Sequence, residues 1–246
     1  MIINNTEKLR EKSMGDLSVF EHCPNLVELH LEKCDNITGD IRVFESTPNL
    51  QILGLSNTQA TGDIWFFGFC SNLTHINLYG THVRGDIVVF KHTPRLQVVN
   101  MAGGFQNPMK IIGDISVFQN TPNIVKLYLD NCKGIKYDIR VFENTPALQQ
   151  LGLSYTKATG DISVFGFCPY LTYVFLNNTQ VYGDIRVFEK TPDLGELGLY
   201  DTQATGDLAV FENNPKLTHL YLRSRSGITG DEANLRTKLP KCTFFL

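Results

Sequence analysis

The sequence lacks long apolar runs and lacks an excess of basic charge. Gly, Asp or Asn breaks its apolar stretches every few residues, well short of the ~20 residues that a transmembrane helix needs. Lysine and arginine together number 22 against 25 acidic residues, so the net charge is -3 and no cationic surplus is present to neutralise a phosphate backbone. We therefore expect no membrane span and no nucleic-acid partner.

Motifs for metal binding, phosphate binding and nucleophilic catalysis are also missing. No CxxC pair and no HExxH spacing occurs, and Gly103-Gly104 is not followed by the Lys-Ser/Thr that a phosphate-binding loop needs. Three of the six cysteines, Cys23, Cys70 and Cys168, share a repeat position with threonine, which suits a small buried side chain. We expect no catalytic residue, no metal site and no cofactor, and hence a protein that is not an enzyme.

The amino terminus, MIINNTEKLREKSMGD, introduces charged residues early and lacks the apolar core of a secretory signal. The compartment is not specified by any motif. An intracellular, cytoplasmic location is the default expectation.

The chain is rich in one repeated unit. The second copy reads GDIRVFESTPNLQILGLSNTQAT and contains the frame Leu50-x-x-Leu53-x-Leu55-x-x-Thr58. We predict a minimal cap or the remnant of a preceding repeat over 1–14, nine repeats over 15–229, and a partial repeat with a carboxyl-terminal cap over 230–246. Gly-Asp-Ile or a close variant recurs every 23 to 28 residues, with its aspartate at Asp16, Asp40, Asp63, Asp86, Asp114, Asp138, Asp161, Asp184, Asp207 and Asp231.

Alternation in the unit predicts a strand. Leu53 and Leu55 alternate with Ile52, Gly54 and Ser56, which is the period-two pattern of a strand buried on one side. One such strand per copy, paired at ~4.8 Å, predicts a parallel sheet of nine strands about 40 Å long.

Two further columns run through the repeats. The aspartate after glycine suits the N-cap of a short helical turn, although a ladder of carboxylates is also a candidate cation site. A phenylalanine follows four residues later, and each buried ring is expected to contribute roughly 1.5–3 kcal/mol to cohesion between neighbouring copies. The phenylalanines are Phe20, Phe44, Phe67, Phe90, Phe118, Phe142, Phe165, Phe188 and Phe211.

The frame LxxLxLxx, followed by a small ladder residue and a Gly-x-Ile stretch, resembles leucine-rich repeats. The unit LxxLxLxxTxxTGDIxVFxxTPx is closest to the plant-specific class, whereas the copies around Cys34 and Cys132 resemble the cysteine-containing class. The sequence departs from both by placing threonine at most ladder positions and by running about one residue short. The resemblance implies an α/β solenoid: a right-handed β-α superhelix with a parallel sheet on its concave face and short helical or 3-10 turns on its convex face.

The predicted concave face carries the candidate site. Aromatic and arginine side chains are common anchors of protein interfaces, and they cluster on the later strands. We therefore predict a non-catalytic protein-binding or scaffold module that recognises a protein partner there; the alternative is that glycine and tyrosine merely complement each other across strands. The candidate residues are Tyr79, Tyr128, Asp130, Tyr173, Phe175, Tyr200, Tyr221 and Arg223.

Two other functions stay open. A structural spacer or assembly subunit would use the ends of the array, its amino-terminal end in particular, or the 103–109 insertion with Phe105, Gln106 and Asn107. A cation-binding protein would use the aspartate column.

Overall fold

The structure is a computed structural model that describes residues 1–3, 15–104, 109–222 and 227–246. The strands within these residues all pair in parallel with their neighbours and are short, two to five residues each. They are β1 (Ile2–Ile3), β2 (Glu28–His30), β3 (Thr38–Asp40), β4 (Ile52–Gly54), β5 (Gln59–Asp63), β6 (His75–Asn77), β7 (His82–Asp86), β8 (Val98–Asn100), β9 (Lys110–Asp114), β10 (Lys126–Tyr128), β11 (Gly134–Asp138), β12 (Gln150–Gly152), β13 (Lys157–Asp161), β14 (Tyr173–Phe175), β15 (Gln180–Asp184), β16 (Glu196–Gly198), β17 (Gln203–Asp207), β18 (His219–Tyr221), β19 (Ile228–Thr229) and β20 (Thr243–Phe245).

These strands form two sheets. Within the described residues, β1 and the even-numbered strands make an eleven-stranded sheet in chain order, and the odd-numbered strands from β3 onwards make a nine-stranded sheet. Equivalent residues of successive copies are paired in the eleven-stranded sheet: Leu53 is opposite Ile76, and Gly54 is opposite Asn77. The predicted solenoid of stacked copies with a parallel sheet and short 3-10 turns is confirmed.

The nine-stranded sheet shows that the prediction of one strand per copy was wrong. In β5, Ala60 is buried while Gln59 and Thr61 on either side are exposed, so the segment does alternate as a strand should. Its inward residue is small and its other residues are polar or glycine, so hydrophobic periodicity gives little signal. The backbone pairs with the same segment of the next copy, as Thr61 opposite His82 illustrates.

The strands of the nine-stranded sheet from β3 to β17 each lead into a 3-10 helix that an aspartate caps. Asp40 Oδ1 accepts a hydrogen bond from Arg42 N at 2.8 Å, and the nine equivalent bonds span 2.7 to 3.1 Å. The predicted N-cap role is confirmed for this column. The 3-10 helices in the described residues are Leu17–Phe20, Ile41–Ser46, Ile64–Phe69, Ile87–His92, Ile115–Asn120, Ile139–Asn144, Ile162–Phe167, Ile185–Lys190 and Leu208–Asn213.

Stacked phenylalanines and leucines form the continuous core. Phe165 and Phe188 of adjacent copies have ring centroids 6.1 Å apart at an interplanar angle of 23°, and all nine phenylalanines of the column are buried. The threonine ladder is satisfied internally, since Thr58 Oγ1 donates to the carbonyl oxygen of Leu55 at 2.8 Å. A different threonine position, that of Thr47, is occupied by Cys70 and Cys168 as free, buried thiols.

The carboxyl-terminal segment covers the last copy. Helix α1 (Glu232–Lys238) buries Leu235, and β20 adds to the eleven-stranded sheet beside β18. The guanidinium of Arg236 lies 4.8 Å from the ring centroid of Phe244. Nowhere in the described residues does a helix combine the length and apolar character that crossing a bilayer requires.

Candidate protein-binding surface

Five aromatic side chains form a contiguous row on the outward face of the eleven-stranded sheet. The ring centroids of Tyr128 and Tyr173 are 5.7 Å apart, those of Tyr173 and Phe175 are 4.4 Å apart, and those of Phe175 and Tyr221 are 5.6 Å apart. Phe245 of β20 stacks on Tyr221 at 4.6 Å with nearly parallel planes. Spacings of this kind are favourable for aromatic pairs, so the aromatic row is held in a defined arrangement before any partner binds.

Glycines between the rings make this arrangement possible. A Cβ atom at Gly198 would lie 2.8 Å from Cδ1 of Phe175, and one at Gly152 would lie 3.0 Å from Cδ1 of Tyr128. The rings therefore lie across the backbone of the neighbouring strand, which is the complementation between glycine and aromatic residues that the sequence left open. The four rings of the row that lie on β10, β14 and β18 remain partly exposed, so a face of the row is available to solvent.

Asp130 lies beside the first ring of the row. Its Oδ1 accepts a hydrogen bond from Ser154 N at 2.8 Å, and its Oδ2 lies over Gly152, where a Cβ atom would collide with it. Burial raises the pKa of this carboxyl to about 6, an effect that the hydrogen bond from Ser154 only partly offsets. Among the described residues, no lysine or arginine forms an ion pair with Asp130.

A concavity of about 320 Å³ opens at this carboxylate. The rings of Tyr79, Tyr128 and Tyr173 line it together with Asp130, and we call these four residues the Asp130 pocket. Smaller or amide-bearing residues complete its lining: Asn100, Ala102, Gly103, Gly104 and Asn131. The pocket therefore combines aromatic walls with one carboxylate that has no cationic partner among the described residues.

The electrostatics of the pocket are negative. The Tyr128 hydroxyl donates a hydrogen bond to Gln150 Oε1. Burial raises the pKa of Tyr128 to about 12, and the nearby charges of Asp130 and Glu196 add to the effect. Burial is also the largest cause that raises the pKa of Tyr173, and Asp130 is again the next. Both phenols thus stay neutral at physiological pH, and the charge they experience comes from carboxylates.

A second concavity, of about 520 Å³, lies at the carboxyl-terminal end of the row. Tyr155, Tyr200 and Tyr221 line it with Phe245 and Arg236. The arginine is already engaged, because its Nε donates to Glu232 Oε1 at 2.7 Å. This concavity is consequently a mainly aromatic depression that continues the row.

The structure brings most of the sequence-predicted residues together. Tyr128, Tyr173, Phe175 and Tyr221 belong to the aromatic row, Tyr79 and Asp130 lie at the Asp130 pocket, and Tyr200 lines the carboxyl-terminal concavity. Arg223 and the insertion residues Phe105, Gln106 and Asn107 lie outside the described residues.

Sequence reasoning missed two residues of this surface. Phe245 was assigned to a terminal cap, although the final TFF aligns with His219–Tyr221 of β18 and places Phe245 opposite Tyr221. Gln150 was missed because its repeat position carries no consistent residue type, so only the structure reveals its bond to Tyr128.

Comparison with solved structures shows that other proteins share the fold of this chain. A plant ice-binding protein has a TM-score of 0.64 at 20% identity, over 94% of this chain and 81% of that one. The plant peptide hormone receptor RGFR1, in complex with RGF2, has a TM-score of 0.62 at 18% identity over 88% of this chain. The LRR protein LIC12759 of Leptospira interrogans has a TM-score of 0.53 at 15% identity, over 94% of this chain and 75% of that one.

These likenesses are to the fold. This chain spans only 38% of the length of the peptide hormone receptor. No curated protein matches the sequence significantly.

The sequence itself matches a repeat family over most of its length. The matching segments are residues 15–124 and 89–218, and the family is described as a BspA type leucine rich repeat region with six copies. The segments overlap and together include every strand of both sheets from β2 to β17. The chain therefore belongs to the BspA-type leucine-rich-repeat family.

Proposed function

We propose that this protein is a non-catalytic binding module that recognises a protein partner through the aromatic row. The observation that carries the proposal is the row itself: five rings in contact, partly exposed, on the outward face of a regular sheet. Exposed aromatic surface has a solubility cost, and a contiguous patch of it usually marks an interaction site. Leucine-rich repeats commonly mediate protein-protein interactions, and a plant receptor of similar fold is in complex with RGF2.

Rigidity is the proposed source of affinity. The rings rest on glycine backbone and on one another, so few rotamers remain to be lost when a partner binds. Tyrosine and phenylalanine also provide large contact areas with few rotatable bonds. A preformed surface of this kind binds usefully even when the interface is of modest area.

We also infer that the repeats are closest to the plant-specific class, with cysteine-containing copies at Cys34 and Cys132. The LxxLxLxx frame with its Gly-x-Ile stretch supports this finer assignment.

The spacer or assembly alternative depends on the ends of the array and on the 103–109 insertion. At the amino-terminal end, β1 pairs with β2 through Ile2 opposite Glu28. This alternative predicts that changes in the aromatic row leave every interaction intact.

The cation alternative is less well supported, because one oxygen of each column carboxylate already accepts a backbone hydrogen bond, and the described residues contain no group of three metal-ligating side chains.

Quantitative affinity capture with mass spectrometry tests the proposal. The test variant is the double substitution Phe175→Ala and Tyr221→Ala, and the control is Tyr182→Ala, an aromatic residue of the nine-stranded sheet that is 45% exposed. We expect a specific set of proteins to be captured by the unmodified chain and the control and to be lost with the double variant. Circular dichroism checks that all three are folded. Equal capture by all three chains would refute a role for the row.

A further inference from the structure

The Asp130 carboxylate has no ion-pair partner among the described residues. Its side chain is only partly exposed, it receives a backbone hydrogen bond from Ser154, and no cation of the described residues pairs with it. Buried charges in proteins are normally paired, because an unpaired one forfeits its hydration without compensation. A group that costs stability and has no internal partner is explained when a binding partner supplies the missing charge.

The residues around Asp130 indicate which kind of cation the binding partner would supply. Tyr128 and Tyr173 present ring surfaces at the same concavity, and Tyr79 provides a third ring. Aromatic faces attract cations, and arginine does so more often than lysine. The carboxylate of Glu196, whose charge reaches both Tyr128 and Tyr173, adds to the negative potential.

We propose that the Asp130 pocket receives an arginine side chain of the protein partner, whose guanidinium pairs with Asp130 and packs against Tyr128 and Tyr173. The proposal rests on the proposed function, since it names the partner chemistry at one end of the aromatic row. It commits to a basic segment of a protein and not to a metal ion, because the pocket offers a single carboxylate whereas hard cations collect several oxygen ligands.

Arginine fits the geometry better than lysine. Its planar guanidinium stacks on a ring while its N–H groups donate in the plane to a carboxylate, whereas an ammonium is a more strongly hydrated point charge. The concavity of about 320 Å³ is about ten times the ~30 Å³ that a water molecule occupies, which leaves room for a guanidinium with part of its aliphatic stem.

The test uses short peptides in place of the unidentified partner. Acetyl-Gly-Gly-Arg-Gly-Gly-amide is titrated into the isotope-labelled chain at physiological ionic strength, and the ring resonances of Tyr128 and Tyr173 are followed by NMR. The same peptide with citrulline in place of arginine removes the charge and keeps the shape, and a lysine peptide tests the preference between the two cations. We expect saturable shifts with the arginine peptide, weaker ones with lysine, and none with citrulline.

Two variants show whether the response belongs to the pocket. Asp130→Asn keeps an oxygen that can accept from Ser154 N and removes the charge, so it is expected to weaken binding of the arginine peptide at least about tenfold. Glu143→Gln removes an exposed carboxylate of the 3-10 helix Ile139–Asn144 and is expected to bind like the unmodified chain.

The outcomes separate this inference from the proposed function. Equal binding of the arginine and citrulline peptides, absence of binding, or equal losses with Asp130→Asn and Glu143→Gln would each overturn the arginine pocket. If Phe175→Ala and Tyr221→Ala still abolish partner capture in that case, the aromatic row keeps its proposed function. If capture is unaffected while the peptide binds the pocket as expected, the proposed function fails and the pocket stands.

Discussion

Replacing Asp130 with asparagine should make the protein increasingly more stable than the unmodified chain as the pH rises from acid to neutral. Burial raises the pKa of the folded-state carboxyl to about 6 from an ordinary value of 3.8. The folded state therefore keeps its proton across the interval from 3.8 to 6, in which the unfolded state releases it. The contribution of this carboxyl to stability is most favourable below pH 3.8, declines as the pH rises to 6, and is constant above that.

The size of the effect follows from the shift. A difference of about 2 pKa units corresponds to about 3 kcal/mol at 1.36 kcal/mol per unit, which is an upper estimate for a side chain that retains some exposure. Asparagine has nearly the same shape and can still accept from Ser154 N, so packing and hydrogen bonding change little. The free-energy difference between the two chains should therefore grow by about 1–3 kcal/mol between pH 3.5 and 7.5.

Urea denaturation of both chains at four pH values across this interval measures the effect. Glu143→Gln, measured in parallel, is the control: it shows how much of the pH-dependent change in stability arises from removing an exposed carboxylate. A free-energy difference between Asp130→Asn and the unmodified chain that is independent of pH would refute the reasoning, because it would mean that the folded state does not hold the Asp130 proton.

Three further substitutions test the packing. Gly152→Ala should cost about 1–3 kcal/mol of unfolding free energy and impair arginine-peptide binding, because its Cβ would collide with Asp130; Gly195→Ala, whose Cβ would have ordinary contacts, is the control for both measurements. Phe165→Ala should cost about 3–5 kcal/mol in urea denaturation, and a loss under 1 kcal/mol would contradict the stacked core. Asp161→Ala should lower the thermal midpoint through a loss of about 1 kcal/mol, whereas Asp161→Asn should retain most of the cap; equal losses would argue against capping.

The parts of the fold that follow from the sequence are those in which one side chain recurs at one position. The phenylalanine column predicts the core because a ring at a fixed interval has to stack on its counterpart. The aspartate column predicts the N-caps because a short acidic side chain next to glycine suits that position. The nine-stranded sheet escaped prediction because most of its strands have a single inward side chain among polar residues and glycine, and that residue varies from Ala60 to Ile111.

The candidate site depends on contacts between residues of different repeats, which the residue types at single repeat positions do not predict. The outward tyrosines predict an aromatic surface, but the contact of Tyr128 with Tyr173 joins residues two strands apart, and Gly152 on the strand between leaves room for the Tyr128 ring. That no described lysine or arginine pairs with Asp130 follows only from the positions of all its neighbouring side chains. Phe245 joins the row because the terminal segment continues the strand register.

Site-specific photocrosslinking tests the central claim, that a protein partner binds the aromatic row, most directly. A photoreactive benzophenone side chain is placed at Phe175 in the row or, as a control, at Tyr182 on the nine-stranded sheet. We predict a discrete protein adduct from position 175 that disappears when Tyr221→Ala is added, and no such adduct from position 182. An adduct from 182 alone, or one from 175 that survives Tyr221→Ala unchanged, would contradict the account.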